Sequence, residues 1–388
     1  MASLPTPIWQ FGTSRFLQAH VGLFVSQALE RGEALGGITV VQTTDNPASA
    51  ARVAALAGGA GYDVLVRGLR EGHPVDERVR CTGVHAACNA TADWPMLREA
   101  FAGDAVRVVV SNTADAGWRP DPRDGPGQLR EGSAPPGGFP AKLLVLLHAR
   151  WRKAPDAPLT ILPCELVSRN GEQLRDCVAA LAASWLADPG FQQWLQAHPA
   201  WVNSLVDRIV PEALEPVGAV AEPYALWAVE RQPRMELPCR HPAIEVADDL
   251  GRHERLKLWL LNLGHTLLAH LWLRERLAPG FTVLQAMQSP TLRTPLEQAW
   301  QSEVLPVFAA HGEADVADRY LAGVRDRFMN PWLAHRLADI ATHHATKVVR
   351  RVAPVVEAAT RLTPGLAQPL LRSVITEAAA PEQGRSKT

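Results

Sequence analysis

Cysteine is scarce in this chain and badly placed for cross-linking. The 388 residues hold five, Cys81, Cys88, Cys164, Cys177 and Cys239, an odd number with no CxxC pair. That pattern excludes a disulfide framework and a zinc ribbon, and it predicts a reducing compartment, the cytoplasm. An excess of either charge is missing too. The 39 Lys and Arg against 40 Asp and Glu leave a net charge of −1. No global field therefore draws the chain to nucleic acid or to an anionic membrane. No run of about 18 apolar residues could span a bilayer. The start, MASLPTPIWQFG, lacks the basic segment and apolar core of a secretory signal. The 31 prolines are scattered, and no internal repeat is visible. What remains is an ordinary globular composition, 47% hydrophobic and 20% charged. At roughly 150 residues per domain it suits two or three domains.

Apolar patterning places the elements. Residues 8–12 (IWQFG) read as a short strand closed by glycine. A helix is predicted over 15–31, with Phe16, Ala19, His20, Leu23, Phe24 and Ala28 at helical spacing. Further strands are predicted at 38–42, 62–67, 106–111 and 159–163, and a helix at 48–57. Strands alternating with helices from the outset predict an α/β fold with a doubly wound parallel sheet. Residues 119–140, rich in Pro and Gly, read as an exposed loop. Beyond about residue 240 the strand signals stop. Helices are predicted over 250–275, 291–311, 314–326 and 331–343, with more to 378, and the tail 379–388 reads as disordered. The predicted boundary separates a nucleotide-binding domain, 1–238, from a helical domain, 239–388.

The run Gly12-Thr13-Ser14-Arg15-Phe16 lies between a strand and a helix. A dinucleotide fold needs glycine there for the tight turn, and the helix behind it offers N–H groups to a pyrophosphate. Any strand–turn–helix would read the same way. Asp45, after the second strand, either binds the hydroxyls of the adenosine ribose and repels a 2′-phosphate, or caps the Asn46-Pro47 turn. Ser111, Asn112 and Thr113 follow the strongest strand at its carboxyl end, where cofactors sit in open sheets. They either contact a nicotinamide ribose or cap the next turn.

The sequence 254–265, ERLKLWLLNLGH, puts polar groups on an otherwise apolar helix. With Lys257 at 0°, Glu254 falls at about 60°, His265 at about 80° and Asn262 at about 140°. Leu256, Trp259, Leu260, Leu263 and Leu267 occupy about 200–300°. Buried lysines lose charge readily and can exchange a proton, and a neighbouring asparagine can donate to a developing alkoxide. A structural Lys–Glu pair with satisfied Asn and His fits the same pattern. No metal is implied: there is no HExxH, His265 and His270 are five apart, and the Cys and His spacings form no zinc site. The segment KVVRR carries Lys347, Arg350 and Arg351. If helical, two of the three can face one pocket and bind a carboxylate. A solvated basic face is the alternative.

The segments QFGTSRFLQAH, VVVSNTADAG, FPAKL, PCELVSRNG, NSLVDRIVP, AEPYALWAVE, KLWLLNLGH, RFMNP and KVVRRVAP, spread over residues 8–354, together resemble the polyol-specific long-chain dehydrogenases, the mannitol dehydrogenase family. The spacing K-x4-N-x2-H and the run NSLVDRIVP are the specific parts. The resemblance implies a zinc-independent NAD oxidoreductase with a Rossmann-like first domain and a helical second domain. It implies Lys257 as general acid/base, Asn262 and His265 as its partners on the substrate oxygen, and Glu254 as proton relay. It also implies Asp207 and Lys347 as substrate contacts. PCELxxxNG and SNTxxAG are similar to the tagaturonate reductase (altronate oxidoreductase) branch. Two positions depart from the family pattern. Ser14 replaces the second glycine of the nucleotide loop, and Leu166 stands where some members have an asparagine.

The expectation is an NAD-dependent enzyme that interconverts a sugar-derived polyol or aldonate and its keto form. Its substrate would be a small molecule, with hexuronate-type acids favoured by the basic segment. Mannitol 2-dehydrogenase and mannitol-1-phosphate 5-dehydrogenase activities are the enzymatic rivals. A non-catalytic nucleotide-binding protein is the rival from another class, and the complete Lys257/Asn262/His265 set opposes it.

Overall fold

The computed structural model describes residues 6–113, 118–119, 121–186 and 188–379. The chain divides into two compact units. One comprises the chain up to Val66 together with Glu77–Leu250; the other comprises Arg67–Asp76 and the chain from Gly251 on.

The first unit is built on a six-stranded sheet. Its strands are β1 (Ile8–Phe11), β2 (Ile38–Gln42), β5 (Val84–Asn89), β6 (Val108–Ser111), β7 (Thr160–Pro163) and β8 (Ala200–Trp201). The order is β5-β2-β1-β6-β7-β8, and every neighbouring pair is parallel. β1, β2, β6 and β7 are buried along their whole length. Strands covered on both faces lose the polar alternation of half-exposed ones, which is why these four read so clearly as apolar runs. The chain order reverses direction between β1 and β6, so their carboxyl ends flank the switch point where open α/β sheets bind ligands. Helices Trp94–Ala102, Phe139–Lys153 and Asn170–Trp185 cover a core that contains Trp9, Phe11, Phe101 and Phe139.

Several expectations change here. Residues 62–67 do form a strand, β3 (Tyr62–Arg70), but it joins β4 (His73–Cys81), β10 (Glu212–Ala213) and β11 (Gly218–Ala221) in a second sheet. The alternating burial of β3 marks it as a half-exposed strand rather than one of a doubly covered sheet. Strand signals also continue past 240. β13 (Ile244–Ala247) pairs in parallel with β12 (Leu226–Glu230), itself antiparallel to β9 (Ser204–Asp207). That pairing keeps residues 239–250 in the first unit, beyond the predicted 238/239 boundary.

The second unit from Gly251 on is helical. Helices Gly251–Leu256, Leu263–Arg274, Pro290–Ala299 and Ala314–Phe328 enclose a core with Leu260, Leu267, Trp300 and Phe328. The predicted 331–343 helix shrinks to Leu337–Ala341. Asn330 accepts from the Trp332 N–H at 2.9 Å and Pro331 follows it, an Asn-Pro turn. Arg336 then bridges Thr282 in antiparallel fashion, which draws the segment out of helix. The predicted disordered tail beyond Ala379 lies outside the described residues. Among the described residues, no helix is long and apolar enough to cross a membrane.

Candidate active site

The nucleotide loop follows directly from β1. Gly12 has φ +118°, a conformation that favours glycine, and a Cβ there would lie 2.6 Å from the Asn112 carbonyl oxygen. Ser14 caps the helical run that begins at Arg15: its Oγ accepts from the Leu17 N–H and donates to Asn112 Oδ1, both at 3.3 Å. The second glycine of the usual fingerprint is thus replaced by a cap. Arg15 donates from Nε to the Val210 carbonyl at 2.9 Å, and Phe16 stacks on the buried His20 ring at 4.8 Å. Residues Gln18–Gly22 form a π turn within this helical run. Its released carbonyls are taken by others: Tyr62 donates to Gln18 O at 2.9 Å and Arg208 donates to Ala19 O.

Asp45 is exposed in the loop that follows β2. It acts electrostatically on Lys142, a buried side chain whose Nζ donates to Gly137 O at 2.8 Å. Burial lowers the Lys142 pKa, while Asp124, Asp45 and Asp121 oppose that shift. At the end of β6 the polar run is occupied by a residue the sequence reading passed over. Buried Glu165 accepts from Ser111 Oγ at 2.9 Å, from Thr113 N–H at 2.9 Å and from Thr113 Oγ1 at 3.1 Å. Burial raises its pKa, and these hydrogen bonds oppose the shift. Asn112 donates to Cys164 O at 2.8 Å. The last four residues of the SNTADAG run, 114–117, lie outside the described residues. Leu166 is 76% exposed next to this network. Asp207 is buried at the end of β9.

In the second unit the segment that carries the polar residues departs from an α-helix. Lys257–Asn262 is a π turn, with the Leu263 N–H bonded to Leu258 O five residues back. In such a turn the i→i+5 hydrogen bond narrows the rotation between residues five apart. Lys257 and Asn262, about 140° apart on an α-helix, are thereby brought toward one side. Both are half-buried, as is Glu254, while His265 is buried. Two neighbours hold the widened turn. Trp300 Nε1–H donates to Leu260 O at 3.2 Å, and Gly264 lets the indole in, since a Cβ there would lie 2.4 Å from Trp300 Cζ2. Thr266 Oγ1 donates to Asn262 O at 2.9 Å.

His265 stacks on Phe328 at 4.3 Å and meets His335 edge-on at 4.9 Å. Burial holds its pKa well below the ordinary value, and positive charge at His335, Arg327, Arg351 and Lys347 pushes the same way. The ring is therefore neutral at neutral pH. Lys347 is half-buried and donates from Nζ to Ile340 O at 2.7 Å. Burial, and then Arg351, lowers its pKa. Arg351 donates to Thr266 Oγ1 at 3.3 Å. Arg350 is exposed. Of the basic segment, Lys347 and Arg351 are the pair that acts on His265, one helical turn apart. Arg327 and His335 joined no expected site. Their signal was present in RFMNP and in the five residues that follow it. Among the described residues no three His, Cys, Asp or Glu side chains are grouped to hold a metal ion.

Two family models match the chain: the mannitol dehydrogenase Rossmann domain over residues 102–240 and the mannitol dehydrogenase C-terminal domain over 249–377. The Gly12 loop precedes the first match. The altronate oxidoreductase of Klebsiella pneumoniae (strain 342) is 30% identical over 377 residues, covering 91% of this chain and 75% of the relative. The altronate oxidoreductase of Bacillus subtilis (strain 168) is 28% identical over 375 residues, with 91% and 75% covered. The solved mannitol 2-dehydrogenase of Pseudomonas fluorescens, in a ternary complex with NAD and D-mannitol, is similar in fold at a TM-score of 0.74 and 20% identity. That likeness covers 99% of this chain and 81% of the other.

Proposed function

Because this chain belongs to the mannitol dehydrogenase family of oxidoreductases, we propose that it is an NAD-dependent reductase of a keto sugar acid, similar to tagaturonate reductase. Two observations support this reading: the π turn Lys257–Asn262, which departs from the α-helical spacing of that pair, and the cations Arg327, Arg351 and Lys347 that act on buried His265. The nucleotide loop fits a dinucleotide, since Gly12 leaves the turn clear of a side chain where the backbone passes Asn112. Exposed Asp45 favours NAD, because a carboxylate there repels a 2′-phosphate. The cofactor, when bound, supplies the hydride.

The chain's own residues handle the oxygen and the proton. Lys257 Nζ gives a proton to the alkoxide in reduction and takes it back in oxidation. Asn262 donates from its amide to the same oxygen. Neutral His265 orients that oxygen by a hydrogen bond, and Glu254 passes protons between Lys257 and water. Lys347 and Arg351 hold the carboxylate of the substrate. The test is NADH oxidation with tagaturonate, fructuronate, fructose 6-phosphate and fructose at equal concentration. Tagaturonate is expected to give the highest kcat/KM. Fructose turned over as well as any anionic substrate would defeat the charge argument. Turnover of the sugar phosphate alone would defeat the branch assignment and keep the charge argument.

A further inference from the structure

A second cationic site lies in the first unit. Helices Trp94–Ala102 and Phe139–Lys153 pack side by side, and the segment 129–132 lies against them. They line a half-open cavity of about 1030 Å³. Four of its lining residues are basic: Arg98, Arg130, Arg152 and Lys153. Glu99 and Glu131 are its acidic lining residues, so the wall carries a net positive charge. Helix Phe139–Lys153 returns from β6 to parallel β7, so its last turn lies at the amino ends of the strands. The cavity is thus at the opposite edge of the sheet from the Gly12 loop.

Basic residues in the last turn of a helix complement its dipole, and Arg150 shows how such a residue is normally used. Its guanidinium is buried and donates to the carbonyls of Phe101, Gly103, Ala157 and Pro158. Arg152 and Lys153 differ: both are exposed, and among the described residues no hydrogen bond or ion pair engages either cationic head. The dipole also leaves Arg98 unexplained, since it sits in the middle of the neighbouring helix. Arg98 anchors the 129–132 segment through the Leu129 and Arg130 carbonyls. Between these cations His148 lines the cavity, nine-tenths buried, and its Nδ1 has no hydrogen-bond partner among the described residues. Its ring is fixed by Phe191 at 5.3 Å and Trp151 at 5.9 Å. Burial is the main cause of the lowered pKa values of both Arg98 and His148, and Arg152 pushes both the same way. An anion in the cavity would relieve that repulsion.

We propose that this cavity binds a phosphorylated small molecule. Its phosphate would lie against Arg152 and Lys153, beside Arg98, with the His148 ring in the wall. Guanidinium groups suit a phosphate because they can donate two parallel hydrogen bonds to it. The room exceeds what an inorganic ion needs and falls at the upper end of small-molecule pockets, about 300–1,000 Å³.

The experiment titrates inorganic phosphate and ribose 5-phosphate into the full chain by calorimetry, with saturating NADH. The His148 ring resonances are followed in parallel. Three variants separate the sites: Arg152→Glu and Lys153→Glu at this cavity, and Arg351→Ala at the second unit. Both substituted cavity residues are exposed, so the fold should persist; an unchanged circular dichroism spectrum verifies that. Ribose 5-phosphate is expected to bind wild type and Arg351→Ala alike and to shift the His148 resonances. Binding should weaken by about tenfold or more in Arg152→Glu, as for loss of a charge-assisted contact. No binding up to about 10 mM would overturn the proposal. So would binding that survives Arg152→Glu and Lys153→Glu but disappears in Arg351→Ala.

Discussion

The helical run after the nucleotide loop and the helix that carries Lys257 are built with the same device and put it to different use. Each contains a π turn, Gln18–Gly22 in one and Lys257–Asn262 in the other. Each turn has a released carbonyl taken by an aromatic donor, Tyr62 or Trp300. Each has a glycine that admits the donor: a Cβ on Gly22 would lie 2.1 Å from the Tyr62 hydroxyl, and one on Gly264 would lie 2.4 Å from Trp300 Cζ2. The difference is burial. All five residues of the first turn are buried, whereas Lys257, Leu258 and Asn262 of the second are half-buried. A widened turn is therefore a packing solution in itself. It can serve chemistry only where one face stays open and the side chains on that face are polar.

The sharpest way to break this comparison is to remove the amine. Lys257→Ala should lower kcat by about 100-fold or more, the range for losing a general acid/base. NADH affinity, followed by fluorescence titration, should change little. Turnover near that of wild type would leave the second turn with no more chemistry than the first.

The glycines test the device itself. Gly22→Ala and Gly264→Ala should each cost about 1–3 kcal/mol in denaturant unfolding, as overpacking does. Adding Tyr62→Phe to Gly22→Ala removes the oxygen that the new methyl meets, so part of the loss should return. Only Gly264→Ala should also lower kcat, because only that turn spaces Lys257 and Asn262. If Gly264→Ala loses stability and keeps kcat, the π turn is not what positions the pair.

These features were unequally visible in the sequence. The interior strands could be read because double burial turns them into plain apolar runs, as in Ile8–Phe11 and Val108–Ser111. The hairpin strand His73–Cys81 is mostly exposed and charged, and nothing in HPVDERVRC marks it as β. The short helix Leu337–Ala341 was over-read because pairing between Arg336 and Thr282 is a long-range effect. Within the site, the residues Lys257, Asn262 and His265 could be picked out, but not how they are arranged. A constant 100° step cannot reveal a π turn, whose cause lies forty residues away at Trp300. Glu165 was overlooked for a similar reason: its role depends on Ser111 and Thr113 lying across the sheet end.

A smaller effect separates the surroundings of the two turns. His265 is buried among cations and neutral, so its folded pKa lies below the unfolded value of about 6.5. The sign follows from proton uptake. Below pH 6.5 the unfolded chain binds a proton that the folded one refuses, so stability is lost as pH falls. This group alone contributes at most about 1.4 kcal/mol per pH unit. Other histidines add to the slope, His241 among them, held down to about 4 chiefly by burial. The readout is therefore a difference: His265→Gln should flatten the fall in unfolding free energy between pH 6.5 and 5 relative to wild type. Parallel pH profiles for the two proteins would refute it.

The smallest expected effect concerns the first unit and should leave the second turn's chemistry untouched. Asp45 is exposed, so its repulsion of a 2′-phosphate is worth about 1 kcal/mol, or roughly a fivefold preference for NAD. Asp45→Ala should raise the NADP/NAD ratio of kcat/KM by that factor while kcat with NADH stays the same. Lys142 offers a second, sharper readout. Its ammonium is buried, and Asp45 is one of three carboxylates that oppose the lowering of its pKa, with Asp124 and Asp121. With Asp45 gone, Lys142 keeps one compensating carboxylate fewer, and its charge would favour a 2′-phosphate at this loop. Adding Lys142→Met to Asp45→Ala should then cancel much of the gain in NADP use. A ratio unmoved by Asp45→Ala removes Asp45 from cofactor choice. A ratio that moves together with kcat would mean that the nucleotide loop and the lysine turn are not separable, which is the division the two π turns imply.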